Sequence, residues 1–266
     1  MPASPQQTEE RFLALLNRAY DGWLSKVQND FSQASYETEL ANLDSDDVYR
    51  SFGLACPEYA LIRLMGRLSI SIGRRLGELY DNLPRYVAAA RFGLEPGEVA
   101  AKINRLQLDV CVPFDRLGEE DLEVVNDSLV THFGSTASGA GLGIEIRYNF
   151  NPNDSARLRK DVAMADGLEQ EGLFPIYLVY STISPRAEAI ARLKRAGWHF
   201  LIGPDAVAFT KSLLGLDLTE LLEDVKVQGV IREKVDKIMG SLGQAHALRA
   251  AIASMSERPD PHFRSS

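Results

Sequence analysis

The stretch GIEIRYNF, residues 143–150, decides the fold class, because apolar and polar side chains alternate along it. An alternation with a period of two is typical of a β-strand. Ile144 and Ile146 then point to one face of the strand, and Glu145 and Arg147 point to the other. The sequence therefore predicts a strand that carries two opposite charges on one face.

The segments around this strand predict the rest of the fold. Before residue 105, apolar residues recur at helical spacing, with one helix predicted from Thr8 to Phe31 and another from Pro57 to Asn82, where Pro84 ends it. After that point, helices separate the predicted strands Leu106–Val112, Gly143–Phe150, Phe174–Tyr180 and Trp198–Ile202. This order predicts an α/β fold, with helices flanking a mixed β-sheet core and a helical N-terminal third. We expect an N-terminal helical region, a core, and C-terminal helices with a tail, over residues 1–56, 57–215 and 216–266.

Composition narrows the classes of function. The 266 residues are 45% apolar and 25% charged, with a net charge of −8, as is ordinary for a folded globular protein. No stretch approaches the roughly 18 consecutive apolar residues of a membrane span, and the polar N-terminus does not resemble a signal peptide. We therefore expect a cytoplasmic protein with no membrane partner. The acidic balance argues against non-specific wrapping of nucleic acid, but it is compatible with a nucleic-acid enzyme that has a local basic cleft.

The spacing of the two cysteines predicts neither a structural zinc site nor a disulfide framework. Cys56 and Cys111 form no C-x-x-C pair and stand apart from any histidine cluster. A structural zinc site and a disulfide framework are therefore not expected. Both thiols lie in apolar segments, and we expect them to be buried.

Two acidic residues stand alone inside apolar strands. Asp109 lies in LQLDVCV, residues 106–112, and Glu145 lies in the strand quoted first. A buried carboxylate is costly unless it is paired or binds a metal ion. Because neighbouring strands lie about 4.8 Å apart, Asp109 and Glu145 on adjacent strands would be close enough to share a divalent cation. Oxygen ligands of this kind suit Mg²⁺.

Arg147 shares the strand face of Glu145, and two interpretations of the pair stay open. In the first, Asp109 and Glu145 are catalytic carboxylates that hold a metal ion, and Arg147 places positive charge where a scissile phosphate would lie. In the second, the strand face is solvated, and Glu145 and Arg147 form a structural ion pair. Spacing alone does not distinguish these interpretations.

The long predicted helix supplies a candidate for a third carboxylate. Its polar residues step by three or four positions along one stripe, formed by Arg63, Arg67, Ser71, Arg74 and Glu78. Its apolar stripe, which we expect to be buried, is formed by Ile62, Met65, Ser69, Ile72, Leu76 and Leu79. The polar stripe is either a solvated face or a functional one. In the functional interpretation Arg63, Arg67 and Arg74 face DNA phosphates, and Glu78 reaches the metal cluster as a catalytic residue.

Basic residues also open the helix that follows the central strand. Arg157, Arg159 and Lys160 lie in its first turns, where the helix dipole disfavours cations. That placement brings no benefit to folding, so we interpret these residues as contacts to DNA phosphates. Lys160 lies about 200° around the helix from the apolar Leu158, and we therefore assign it no catalytic role.

The order of these residues resembles a known enzyme family. A helix with Glu78, a strand with Asp109, a strand with Glu145-Ile146-Arg147, and then helix, strand, helix and strand resemble the PD-(D/E)XK nuclease core. Three runs look like the ApaLI-like type II restriction endonucleases: SIGRRLGELYDNLPRYVAAARFGL at 71–94, GIEIRYNFNPNDSARLRKDVAMAD at 143–166 and LFPIYLVYS at 173–181. The resemblance spans about residues 60–215.

The resemblance implies a restriction-endonuclease-like core over residues 57–215 and a Mg²⁺-dependent type II endonuclease that cuts double-stranded DNA. It also implies a homodimer on a short palindromic site, with Asp109 and Glu145 as metal ligands. The alternative is a non-catalytic DNA-binding or assembly protein on the same fold.

The chain departs from the family motif at two positions. Leu108 stands where the motif has proline, and Arg147 stands where it has lysine. Because arginine does not act as a base near neutral pH, we expect Arg147 to act by electrostatic stabilisation. The segment between Asp109 and Glu145 is also long for adjacent strands, so we expect an insertion there.

Overall fold

A computed structural model describes residues 4–150, 155–183 and 187–257 of the chain. The helices within these ranges are α1 (Pro5–Asp30), α2 (Gln33–Ser45), α3 (Asp47–Ser51), α4 (Pro57–Phe92), α5 (Pro96–Val99), α6 (Glu119–Phe133), α7 (Ser155–Gln170), α8 (Ala187–Arg195), α9 (Pro204–Leu214), α10 (Leu218–Glu223), α11 (Val225–Gln244) and α12 (His246–Glu257). The strands within them are β1 (Lys102–Ile103), β2 (Leu106–Gln107), β3 (Val110–Pro113), β4 (Gly141–Arg147), β5 (Leu173–Val179) and β6 (His199–Ile202).

The chain forms two compact units, each assembled from separate segments. The first unit comprises residues 1–13 and 76–224 and contains every described strand. The second unit comprises residues 14–75 and 225–266, and its described elements are helical. The predicted mixed α/β architecture with a helix-rich N-terminal third is thereby confirmed.

The main sheet has four strands in the order β3-β4-β5-β6. Strand β3 runs antiparallel to β4, whereas β4, β5 and β6 run parallel to one another. Parallel neighbours need long crossover connections, and helices α7 and α8 lie in these connections. Strand β4, which carries the opening motif, is therefore a central strand, and its residues from Gly141 to Ile146 are buried.

The strand predicted over Leu106–Val112 is two strands in the structure. Its first two residues form β2, which pairs with β1 in a small antiparallel hairpin, and β3 begins only at Val110. The hairpin turn holds Asn104 and Arg105 at φ values of 49° and 65°. The alternation of apolar residues continues through the break, which is why the sequence does not reveal it. Asp109 consequently lies directly before β3 and not within it.

Helix α7 packs closely against one face of β4. Gly143 permits this approach, because a Cβ atom at that position would overlap the side chain of Leu168 on α7. Leu168 belongs to a buried core together with Tyr177 of β5. Because side chains alternate along a strand, Glu145 and Arg147 point to the same side as Gly143. The charged pair therefore lies on the face that α7 covers.

Helix α4 runs through Pro84 without interruption, so the prediction that this proline ends the helix is wrong. A proline in a helix interior costs about 3 kcal/mol, because it removes a hydrogen bond and clashes with the preceding turn. Leu83, Val87 and Ala88 are buried on either side of it. The packing of these side chains offsets the local cost.

The buried side of the first half of α4 also differs from the prediction. Ala60 and Leu64 are fully buried, whereas Ile62 and Met65, predicted in the core, are 62% and 41% exposed. Apolar residues occur on two faces of this segment, and periodicity does not choose between them. In α1, by contrast, the predicted core residues are all buried: Phe12, Leu15, Leu16, Ala19, Trp23 and Val27.

Candidate functional site

Asp109 and Glu145 come together at the antiparallel pair of β3 and β4, although Asp109 directly precedes its strand and does not lie within it as predicted. Val110 pairs with Ile144, and Asp109 and Glu145 are the next residues along this register. Asp109 Oδ2 accepts a 2.8 Å hydrogen bond from the backbone N–H of Ile146, which fixes the carboxylate against β4. Asp109 is 8% exposed and Glu145 is 7% exposed, so the expectation of a solvated strand face is wrong.

Arg147 lies between the two carboxylates. Its Nη1 donates to Asp109 Oδ2 at 3.1 Å and to the carbonyl oxygen of Ile146 at 2.6 Å. Its Nη2 donates to Glu145 Oε1 and lies 3.9 Å from Asp161 Oδ1. One guanidinium thus faces three acidic side chains. The Glu145–Arg147 ion pair of the second interpretation is present, and the metal ion of the first stays a prediction.

Helix α4 contributes an arginine and a carboxylate that sequence analysis missed. Arg85 donates to the backbone oxygen of Asp109 at 2.8 Å and to its Oδ1 at 3.1 Å. Burial and the charge of Asp109 raise the pKa of Asp81 to about 7, against the opposing charge of nearby arginines. Asp81 and Arg85 continue the polar stripe beyond Glu78, stepping by three and then four residues. The predicted helix end at Pro84 hid this continuation.

Asp161 of α7 is a further carboxylate that sequence analysis missed. Its Oδ2 accepts a 3.1 Å hydrogen bond from the hydroxyl of Tyr177, and its backbone oxygen accepts one of 2.8 Å from the indole N–H of Trp198. Burial raises the pKa of Asp161, and the charge of Arg147 opposes this shift. No local pattern marks Asp161, because it is one of several charges in an amphipathic helix.

A cavity of about 360 Å³ lies beside these groups. Its lining residues come from β2, β4 and α7, and they are Leu106, Gln107, Glu145, Arg147, Ala156, Arg157, Lys160, Asp161 and Met164. Within the described parts of the chain, Arg157 and Lys160 make no hydrogen bond or ion pair. The cavity wall therefore combines two cations that have no ion pair among the described residues with the buried Glu145 and the half-buried Arg147.

The other predicted contact residues occupy different places. Lys160 lines the same cavity as the central pair, and its predicted contact with DNA stays a prediction. Arg159 is exposed and does not line the cavity. Glu78 is exposed on α4, and the exposed Arg74 belongs to the second unit. Their roles in catalysis and DNA contact stay predictions.

The electrostatic environment shifts the ionisation of the central pair. Burial raises the pKa of Glu145 to about 8, with a further increase from the charge of Asp109 and an opposing effect from Arg147. Burial alone would lower the pKa of Arg147, but the surrounding carboxylates raise it above its usual value. The carboxyl group of Glu145 therefore carries a proton in a large share of the molecules near neutral pH. A cation that bound to this carboxylate would compete with that proton.

The end of β4 and the residues directly after it carry buried polar atoms that have no hydrogen-bond partner. Among the described residues, Glu145 Oε2, Arg147 Nε and Asn149 Oδ1 are buried and have no hydrogen-bond partner. Buried polar atoms rarely stay unpaired in a folded protein. A buried anionic oxygen with free lone pairs suits a hard cation such as Mg²⁺, so Glu145 fits the implied metal. Over residues 4–150, 155–183 and 187–257, however, no three acidic, histidine or cysteine side chains form a ready metal cluster.

The cysteines take no part in this site. Cys111 is buried as predicted, and burial raises its pKa to about 11. Cys56 is only half-buried, so the expectation of full burial is wrong there. Both thiols are free.

Comparisons with known proteins do not indicate a function for this chain. No protein-family model, no curated protein and no solved structure matches the chain. A search of the described helices also found none with the length and apolar character needed to cross a membrane.

Proposed function

We propose that this chain is a type II site-specific endonuclease that hydrolyses phosphodiester bonds of double-stranded DNA with Mg²⁺. The observation that carries the proposal is the unpaired Glu145 Oε2 next to Arg147, in a cavity wall that also bears Arg157 and Lys160. A phosphodiester in such a cavity would meet cationic side chains, and a divalent cation would meet the carboxylate. One wall of the cavity thus carries both a carboxylate for the metal ion and cations for the phosphate, as metal-assisted phosphate hydrolysis requires.

The arrangement of elements supports a restriction-endonuclease-like core for this proposal. Helix α4, strands β3 and β4, and then α7, β5, α8 and β6 follow one another in the order on which the resemblance rests. Asp109 precedes β3, and Glu145-Ile146-Arg147 ends β4 in the antiparallel pair. A segment with helix α6 separates the two strands, as the expected insertion requires.

Each side chain has a distinct task in the proposed reaction. Glu145 would hold Mg²⁺ through Oε2, and the resemblance adds Asp109 as a second ligand. When bound, the ion supplies Lewis-acid polarisation of the scissile phosphate. Arg147, held in place by Asp109 and the Ile146 carbonyl, provides a fixed positive charge for the developing negative charge on phosphorus oxygens. It does not remove a proton from water, because a guanidinium stays charged near neutral pH.

Further cations would bind the DNA backbone, and two chains would act together. Arg157 and Lys160 contact phosphates from the cavity wall, and Arg74 and Arg159 contact phosphates elsewhere along the duplex. A short palindromic site has two-fold symmetry, so a homodimer is the simplest assembly that cuts both strands. We place this activity in the cytoplasm, where the DNA substrate would be met.

The test is incubation of the full chain with mixed plasmid DNA and Mg²⁺. We expect discrete bands that disappear when Mg²⁺ is chelated and in the Glu145→Gln variant. The matched control is Glu169→Gln, because Glu169 is an exposed acid on α7. A chain that is folded and binds DNA but produces no bands under any divalent cation would contradict the proposal.

A second candidate function rests on the contacts of Arg147. Its guanidinium is held by Asp109, Glu145 and a backbone carbonyl, which is also the pattern of a structural ion pair. In this case the chain would be a non-catalytic DNA-binding or assembly protein. DNA binding that needs no divalent cation and persists unchanged in Glu145→Gln would favour it.

A further inference from the structure

The cavity offers Glu145 a different carboxylate partner from the one that the resemblance implies. Asp161 lines the cavity together with Glu145, whereas Asp109 does not. Glu145 reaches the cavity from β4 and Asp161 from α7, and both side chains are more than nine-tenths buried, at 9% and 8% exposure. Two carboxylates from separate elements therefore face the same space.

Asp109 is occupied by hydrogen-bond donors on both of its oxygens. Oδ1 accepts from Arg85 at 3.1 Å, and Oδ2 accepts from the Ile146 N–H at 2.8 Å and from Arg147 at 3.1 Å. Asp109 therefore has no oxygen without a donor, whereas Glu145 keeps Oε2 unpaired although its Oε1 also accepts from Arg147. These contacts suit a side chain that positions Arg147 better than one that binds a metal ion directly.

Asp161, in contrast, keeps one oxygen for a ligand. Its Oδ2 accepts from the Tyr177 hydroxyl at 3.1 Å, but the cation nearest to Oδ1 is Arg147 Nη2 at 3.9 Å, which is beyond hydrogen-bond distance. The indole of Trp198 also fixes the Asp161 backbone at 2.8 Å. The free oxygen is thus presented on a rigid support, as a preorganised ligand requires.

We propose that Glu145 Oε2 and Asp161 Oδ1 together bind one divalent cation in this cavity, and that Asp109 acts as the positioning residue of Arg147. This assignment rests on the proposed function for the identity of the cation, Mg²⁺. Mg²⁺ usually keeps several of its waters and uses only one or two carboxylates of the protein. A cavity of about 360 Å³ accommodates such a hydrated ion, because each water takes up about 30 Å³.

The test measures binding of Mn²⁺ alone, without DNA, from the electron paramagnetic resonance signal of free Mn²⁺. We expect Glu145→Gln and Asp161→Asn each to weaken Mn²⁺ binding roughly tenfold or more. Asp109→Asn should change it far less, and Asp166→Asn, an exposed acid on the same helix, should leave it unchanged. Asparagine retains an acceptor for Tyr177, and circular dichroism with urea unfolding checks that each variant is folded.

Tyr177→Phe provides a second variant that leaves all the carboxylates in place. Loss of its hydroxyl removes the contact that orients Asp161, so we expect weaker Mn²⁺ binding than in the wild type but tighter binding than in Asp161→Asn. Wild-type affinity in Asp161→Asn, together with lost affinity in Asp109→Asn, would overturn the assignment in favour of the pair from the resemblance. Absence of any Mn²⁺ binding by the wild type would overturn it outright. Mn²⁺ binding with this pattern but no DNA cleavage would refute only the endonuclease.

Discussion

Two clusters of buried carboxylates and arginines, one in each compact unit, are paired in opposite ways. In the second unit, Glu39 of α2 faces two arginines: Arg63 Nε lies 2.6 Å from Oε1, and Arg67 donates to Oε2. In the first unit, the guanidinium of Arg147 faces Asp109, Glu145 and Asp161. In the second unit two arginines share one carboxylate, whereas in the first unit one arginine is shared by three carboxylates, of which Asp109 also contacts Arg85.

This difference distinguishes a structural ion pair from a site that could still bind a proton or a cation. The arginines at Glu39 are 37% and 46% exposed, so water solvates their excess charge. Arg147 is only 17% exposed, and its carboxylate partners are buried. Glu39 Oε1 and Glu145 Oε2 both lack a hydrogen bond, but a guanidinium lies 2.6 Å from the first, whereas Glu145 lines a cavity. A buried carboxylate that keeps an oxygen without a donor under these conditions favours binding of a proton or a cation. The comparison therefore predicts that the two clusters respond differently to mutation and to pH.

The largest effect is expected for Arg147→Ala. It would leave three buried carboxylates without their shared counter-ion, and removal of one partner from a buried pair costs about 3–5 kcal/mol. Urea unfolding at about pH 8 measures this loss in the free energy of unfolding. At about pH 6 the loss should be smaller, because Glu145 and Asp81 can take up protons. A loss below about 1 kcal/mol at both pH values would show that the cluster is solvated and the contrast with Glu39 is wrong.

The next effect concerns the pH dependence of stability. Glu145 has a folded-state pKa of about 8, well above its ordinary value of 4.5. Between these values the folded state binds more protons than the unfolded state, so the free energy of unfolding falls as pH rises through this window. Glu145→Gln should remove this contribution, which amounts to at most about 1.4 kcal/mol per pH unit. Urea unfolding from about pH 5 to pH 8 gives the slope, with Glu169→Gln as the control that should keep the wild-type slope. A wild-type slope in Glu145→Gln would contradict the raised pKa.

Arg67→Ala should have a small effect. Arg67 is 46% exposed and Arg63 remains next to Glu39, so we expect a loss of less than about 1 kcal/mol in the free energy of unfolding. The loss should shrink further in high salt, because an exposed pair is screened. Urea unfolding with and without added salt provides the measurement. A loss as large as that of Arg147→Ala would remove the distinction between the two clusters.

The smallest effect, and a favourable one, is expected for Gly66→Ala in the first half of α4. A Cβ atom there would meet nothing within 4 Å, and alanine is favoured over glycine in a helix interior by about 0.5–1 kcal/mol. Thermal unfolding should show a modest rise in the midpoint temperature. Destabilisation instead would mean that this face of α4 is covered by a partner.

The sequence predicts those site residues that stand out from the pattern around them, and it does not predict those that match it. Glu145 and Arg147 were found because a charge in an alternating apolar strand is unusual, and Asp109 was found for the same reason. Asp161 was missed because a charge in an amphipathic helix is ordinary, and only the packing of α7 on β4 gives it a role. The angle between Lys160 and Leu158 on α7 likewise could not show that Lys160 lines a cavity, because one apolar neighbour does not define which side of a helix faces it.

The fold shows the same limit. The central strand β4 was predicted because alternation persists through it, whereas the break before Val110 was invisible because alternation continues across a hairpin. Pro84 was read as a helix end because its local cost is known, but the stabilising burial around it comes from distant segments. The exposed Ile62 illustrates that a helix with apolar residues on two faces needs its neighbours to determine which face is buried.

The hydrogen bond from Trp198 to the backbone oxygen of Asp161 has a consequence for folding. It joins residues 37 positions apart, and the contact between Asp109 and Arg147 spans 38 positions. A contact between residues so far apart in sequence requires the closure of a long loop, which costs conformational entropy before the contact stabilises the fold. Such contacts therefore form late along a folding pathway. During synthesis, the residues up to Arg147 can fold before Trp198 leaves the ribosome, because a chain folds from its N-terminal part onward. The Asp161 wall of the cavity is then completed only when the segment with Trp198, directly before β6, packs against α7.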